Sequence, residues 1–326
     1  MEYSQVKVYQ LLQRDVLKEV GAAARACGLP VGGHCPEGIT YEDAIEFGFS
    51  FFEHLVGVAL GHTRSGRSFV PSAAMDEAWE IAEANAIAHG IDMKRIVDLA
   101  ATLAACGAWN CPTLVMRRRR LSGRSSTASV PEVEYQPALT RDRWDRALAR
   151  RRFALRSVPN AEADAVRSLE RLHAIVGEFH AAGAPLLIGT DAPNPYVVPG
   201  ASLWDEVDEF IAAGLSPFDA VACATRNAAA FLGRGKVSGT ITEGKVADVV
   251  LYGEDPLQRL DRGSRIPEMV IVAGRYYDRQ SLARLRMYRR AWAASPERSS
   301  DCGTGLATAD ANIRAILGTG PASRSR

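Results

Sequence analysis

Three linked segments decide the fold: Pro30-Val31-Gly32-Gly33-His34-Cys35, then Thr40-Tyr41-Glu42-Asp43, then Gly48-Phe49-Ser50-Phe51-Phe52-Glu53-His54. Two short apolar runs each lead to a histidine. Between them, Thr40 with Asp43 three residues on is an N-cap pair, predicting a brief helix that ends at Gly48. The aromatic run Phe49 to Phe52 suggests a strand buried on both faces. Towards the N-terminus, Val6 and Val8 mark another strand, beginning almost at Met1. Leu12, Val16, Val20 and Ala24 then recur at helical spacing, with Gly28 and Pro30 as the stop. Strand, helix, strand, helix, strand is a parallel α/β pattern.

Towards the C-terminus, a polar loop from Gly61 to about Arg67 precedes helical stretches at about 73–89 and 93–106. Trp109 to Val115 reads as a strand running into Arg117-Arg118-Arg119-Arg120 and a Ser/Gly stretch, both expected as loop. A basic helical region over about 140–182 leads to Pro185-Leu186-Leu187-Ile188-Gly189-Thr190-Asp191, the clearest buried strand. Ser216-Pro217-Phe218-Asp219 combines an N-cap, an N1 proline and an acidic N3, predicting a helix to Leu232. After Gly233, short strands at Val237–Ile241, Val246–Tyr252 and Met269–Ala273 joined by turns predict a small β appendage. From Arg279 a basic helix and then a disordered tail are expected. The domains so read are 1–233, 234–278 and 279–326.

Composition sets the outer limits. Of 326 residues, 47% are hydrophobic and 24% charged, which is ordinary globular usage and excludes a disordered or collagen-like chain. A net charge of +1 gives no electrostatic footprint for nucleic acid or an anionic membrane, so neither is expected as a partner. Apolar stretches fall short of the ~20 residues a membrane span needs. The first seven residues lack an apolar signal segment, and six cysteines without a CxxC pair suit reduced thiols, so a cytoplasmic location is expected.

His34, His54 and Asp191 each close an apolar strand. In α/β barrels that end is where catalytic side chains collect, and two imidazoles with a carboxylate are common ligands of a divalent ion. Singly, each has a plainer reading: a strand-end histidine as a satisfied structural residue, and Asp191 before Ala192-Pro193-Asn194-Pro195 as a turn former.

The chain resembles the amidohydrolase superfamily, in particular its imidazolonepropionase-like and prolidase-like branch. The matching segments are Val6-Lys7-Val8-Tyr9, Gly33-His34, Glu53-His54, Cys111-Pro112-Thr113-Leu114, Gly189-Thr190-Asp191, Ala224-Thr225-Arg226-Asn227-Ala228-Ala229 and Gly239-Thr240-Ile241-Thr242-Glu243-Gly244-Lys245-Val246-Ala247-Asp248-Val249-Val250. The resemblance implies a partial (β/α)8 TIM-type barrel holding strands 4 to 8, with Lys7, His34, His54 and Asp191 ending strands 4, 5, 6 and 8, and the small C-terminal β appendage. It also implies metal ligands at Lys7, His34, His54 and Asp191 for one or two divalent ions, zinc first among them. Lys7 serves in that set only as a carbamate, because an ammonium has no lone pair. The implied reaction is hydrolysis of an amide, cyclic amide or peptide-like C–N bond in a small-molecule substrate, with Asp191 as catalytic acid and base.

The family's His-x-His pair is not found among His34, His54, His62, His89, His173 and His180, and its first three strands have no counterpart. The expectation is therefore the C-terminal portion of such an enzyme, truncated at its N-terminus, with open sheet edges through which copies could associate. A catalytically inactive remnant acting in binding or assembly is the alternative. Tyr9, His62, Asn194 and Tyr196 lie just beyond the ligand strands and are candidate substrate contacts. Cys35 should point to the opposite strand face from His34. His173 and His180 share an outward helix face, and His89 reads as a helix C-terminal residue.

Overall fold

A computed structural model of the chain describes residues 3–36, 38–62, 77–121, 130–258 and 265–295. Two units emerge, one formed by residues 1–124 and 147–235, the other by 125–146 and 236–326.

The first unit is built on a four-stranded parallel sheet, β1 (Val6–Val8), β2 (Val31–Gly33), β3 (Phe49–Glu53) and β4 (Trp109–Cys111), paired in that order. Val6 faces Val31 and Phe51 faces Trp109 in register. Helices α1 (Arg14–Ala26) and α2 (Tyr41–Glu46) supply the first two crossovers. The pattern read from residues 6–54 is thus present element for element. The Thr40–Asp43 capping box is formed, with the Asp43 N–H donating to Thr40 Oγ1 at 3.1 Å and Thr40 N–H to the Asp43 carboxylate at 3.2 Å. As the aromatic run implied, Phe49, Phe51 and Phe52 are all buried, and the Phe52 ring stacks on Tyr41 with centroids 4.0 Å apart.

A long crossover follows β3: α3 (Val58–Gly61), α4 (Glu77–Asn85) continued by a π-helical turn at Ala86–Gly90, and α5 (Met93–Cys106). The expected loop up to Arg67 and the start of the helix at 73 lie largely outside the described residues. Strand β4 stops at Cys111, short of the expected Val115. Pro112 has no N–H to offer a ladder, and Thr113 takes a left-handed backbone with φ 52°. The chain therefore turns directly into a helix, α6 (Leu114–Leu121), that carries the four arginines expected in a loop; the Ser/Gly stretch after it lies outside the described residues.

The expected basic helix is two helices, α7 (Ala138–Ser157) and α8 (Ala161–Ala181). Pro159 and the left-handed Asn160 (φ 63°) separate them. Residues 185–191 hold no regular strand. Leu186 instead forms a parallel bridge to Asn110, with Leu187 N–H donating to Asn110 O at 2.8 Å. Their other side is met by helices: Asn227 Nδ2 donates to Leu186 O at 3.0 Å. Helix α9 (Ser202–Ala212), not expected from sequence, precedes α10 (Pro217–Ala224), whose Ser216 cap forms as read. The expected helix to Leu232 breaks at Thr225 and resumes as α11 (Arg226–Phe231). Leu17, Ile96, Leu103, Leu172, Ile175 and Phe179 are buried between sheet and helices. Full burial of such a side chain contributes about 1.5–3 kcal/mol.

The second unit contains an antiparallel sheet of β5 (Val249–Tyr252), β6 (Pro267–Val272) and β7 (Arg275–Asp278), followed by α12 (Arg279–Ala294). The strand expected at Val237–Ile241 is absent, with Ile241 exposed, while β7 was not foreseen. The expected helix at Arg279 starts on an Asp278 cap that accepts the Ser281 N–H at 2.7 Å. The tail beyond residue 295 lies outside the described residues. Among the described residues no helix is long and apolar enough to cross a membrane.

Candidate active site

The C-terminal ends of the parallel strands bring together Lys7 from β1, His34 after β2, Glu53 and His54 at the end of β3, and Asp191 beyond the Leu186 bridge. Lys7, His34, His54 and Asp191, with Tyr9, Gln10, Met116, Arg117, Arg120 and Asn194, line a cleft of about 220 Å³.

Alternation along a strand would send Glu53 and His54 to opposite faces. His54 avoids this because it lies just past the strand with φ 62°, so the chain turns and both side chains reach the same cluster. Ligating atoms of His34, Glu53 and His54 lie within 4.8 Å of one another. His54 Nε2 stands 3.6 Å from Glu53 Oε2 and 3.9 Å from Asp191 Oδ2. The His34 and His54 rings meet edge to face, 4.7 Å between centroids.

Burial, joined by Lys7 and Arg117, pushes the His34 imidazole down to about 4, so it is neutral at pH 7. Burial, then His34 and Arg117, depresses His54 further still. Asp191 moves the other way. Burial raises it and Glu53 adds to the rise, while Lys7, Arg120 and a 2.8 Å hydrogen bond from Asn194 Nδ2 oppose it.

This donor set fits a divalent cation. Two neutral imidazoles cluster with the Glu53 carboxylate, Asp191 stands 3.9 Å from His54, and His34 Nδ1 is buried without a hydrogen-bond partner. Lys7 Nζ meets Glu53 Oε2 at 2.5 Å, so the lysine reaches the same cluster.

Of the candidate substrate contacts, Tyr9 is exposed at the cleft with its ring 4.2 Å from that of His34, and Asn194 lines the cleft beside Asp191. His62 is elsewhere and fully engaged: buried, with Nδ1 2.8 Å from Val58 O and Nε2 3.1 Å from Glu42. Tyr196 is also buried and does not line the cleft. Cys35 points away, its thiol donating to Ile39 O. His173 is not outward-facing as expected, since it is bonded to the buried Glu209 at 2.7 Å. His89 pairs with Asp164.

The arginine run is an ion-pair ladder rather than a solvated loop. Arg117 is buried against Glu83 and also donates to His54 O at 3.1 Å. Arg118 pairs with Glu209, Arg119 with Asp205, and Arg120 with Glu80. The helix is anchored at its start by Glu206, whose two carboxylate oxygens accept the Leu114 and Val115 N–H groups at 2.8 and 2.5 Å. Sequence reading missed Glu53, Thr113, Arg117, Arg120 and Glu206. Only Glu53 and Thr113 left a signal, lying in the family-like segments.

A parallel sheet covered by helices, with polar side chains gathered at its C-terminal edge, defines an α/β protein. Within that class the chain belongs to the amidohydrolase family, whose profile matches residues 10–276. Imidazolonepropionase of Chromobacterium violaceum is 38% identical over 78 residues, which is 24% of this chain and 19% of that protein. The solved structure of bottromycin amidohydrolase aligns with a TM-score of 0.68 at 30% identity, covering 90% of this chain and 59% of its own. The chain thus spans less than two thirds of the length of both relatives.

Proposed function

We propose that this chain carries the strand-end site of a hydrolase that cleaves an amide, cyclic amide or peptide-like C–N bond in a small molecule. The observation that carries this reading is the convergence of His34, His54 and Asp191 on one cleft, with Glu53 clustered against both histidines. His34 and His54, with Asp191 and with Lys7 as its carbamate, would hold a divalent ion, zinc foremost, and Glu53 belongs to the same cluster. Such an ion supplies Lewis-acid polarisation of the scissile carbonyl and a lowered water pKa.

The remaining work falls to the chain's own groups. Asp191 is both near the cluster and raised in proton affinity, which suits it to take a proton from the attacking water and pass it to the leaving amine. Asn194 holds the Asp191 carboxylate in place. Tyr9 offers an exposed aromatic face beside His34 for the substrate to pack on. Self-association through β1 belongs to the same proposal, because among the described residues no strand pairs with its outer side.

The test is elemental analysis of the purified chain with turnover of a panel of dipeptides, lactams and N-acyl amino acids. Metal uptake with hydrolysis of at least one C–N substrate is expected, lowered about 100-fold or more in Asp191→Asn. Failure of zinc, manganese and iron alike to bind would remove the proposal's basis.

A further inference from the structure

Thr113 lies in the segment Cys111-Pro112-Thr113-Leu114, a family-like stretch to which no role has been attached. Its side chain is 2% exposed, and Oγ1 sits 2.8 Å from two groups, His54 Nδ1 and Pro112 O. A threonine hydroxyl has one proton to give, and a carbonyl oxygen can only accept. If that proton goes to Pro112 O, the Oγ1 lone pair must receive Nδ1–H from His54. The opposite arrangement would take the donor from Pro112 O. It would also aim an Nε2–H at Glu53 and Asp191, which at 3.6 and 3.9 Å are too distant for a hydrogen bond.

We infer that Thr113 is a positioning residue that fixes His54 in its Nδ1–H tautomer, presenting the bare Nε2 lone pair to the cleft. The inference deepens the metal-site reading above and rests on it for its consequence, though not for its geometry. A ring nitrogen can serve as a metal ligand only through a free lone pair, and the hydrogen bond made by the other nitrogen decides which one is free.

The backbone is arranged to keep Thr113 there. A β-branched residue at φ 52° is held against its preference, and such conformations persist only where the surroundings over-determine them. Here the next two N–H groups are clamped by the buried Glu206, and Pro112 constrains the residue before. Arg117, one helical turn on, donates to His54 O and holds the backbone of the same histidine. One short segment therefore grips both ends of His54.

The experiment is long-range 1H–15N correlation NMR on histidine-labelled, metal-free protein, with zinc affinity measured in parallel by competition with a chromophoric chelator. Wild type should show His54 protonated on Nδ1. Thr113→Val, nearly isosteric but without the hydroxyl, should show mixed tautomers and a zinc affinity 10–100-fold lower. Thr113→Ser should restore both. A wild-type His54 protonated on Nε2, or a Thr113→Val protein with the wild-type tautomer, overturns the inference; the first readout needs no variant to fold. If the tautomer responds as stated but wild type binds no zinc, the positioning role stands and the metal-site reading fails.

Discussion

Lys7 Nζ and Glu53 Oε2 lie 2.5 Å apart although their strands, β1 and β3, are separated by β2. The strand between them ends on a glycine, Gly33. A Cβ built at Gly33 would stand 3.1 Å from Lys7 Cγ and 2.7 Å from Val8 O. A side chain here would press on Lys7, one partner of the ion pair.

Under the proposed function, Lys7 would serve as a metal ligand only after reaction with carbon dioxide. Zinc content of the refolded protein should therefore depend on bicarbonate, falling when it is stripped and recovering when it is restored, with Lys7→Met insensitive to both. Elemental analysis checks this. A wild-type content indifferent to bicarbonate would leave Lys7 as the ammonium partner of Glu53.

Gly33→Ala should cost roughly 1–3 kcal/mol of stability, since φ of +116° and the approach to Val8 O both resist a side chain. It should also displace Lys7 and weaken zinc binding. Urea denaturation of the metal-free protein reads the first effect and chelator competition the second. A variant as stable as wild type would show that the strand end relaxes freely.

Glu206 gives a pH dependence with a definite sign. Burial raises its pKa from 4.5 to about 8 in the folded chain, against the pull of the Val115 and Leu114 N–H groups. The folded state holds the proton longer than the unfolded one, so this contribution is complete below about pH 4.5. It is lost progressively as pH rises towards 8. The stability difference between wild type and Glu206→Gln, from urea titrations at pH 5 to 9, should therefore move against wild type with increasing pH. A flat difference would mean that the two N–H donors have cancelled the effect of burial.

The β–α–β–α–β run from Val6 to Glu53 could be read from residues because its signals are local: a Thr40–Asp43 cap, helical spacing before Gly28 and an aromatic strand. His34, His54 and Asp191 were legible for a related reason, as each ends an apolar run and strand direction sends such residues to one rim. Glu53 was not, because the left-handed turn at His54 that re-aims the pair is a tertiary fact. The four arginines defeated local reading altogether. Polar patterning alone suggested solvent, whereas Glu83, Glu209, Asp205 and Glu80, supplied by α4 and α9, neutralise them within a helix. His62 failed in the mirror-image way: near the rim in sequence, it is consumed by Val58 and Glu42.

By itself, the sequence determined the order of strands and helices from Val6 to Glu53 and the polar residues at their ends, since caps, periodicity and burial preference act over a few neighbours. Which of those residues share one space, which hydroxyl orients His54 and which carboxylates neutralise α6 were decided only by the tertiary structure. Those contacts join segments dozens of residues apart, and no local propensity encodes the distance between them.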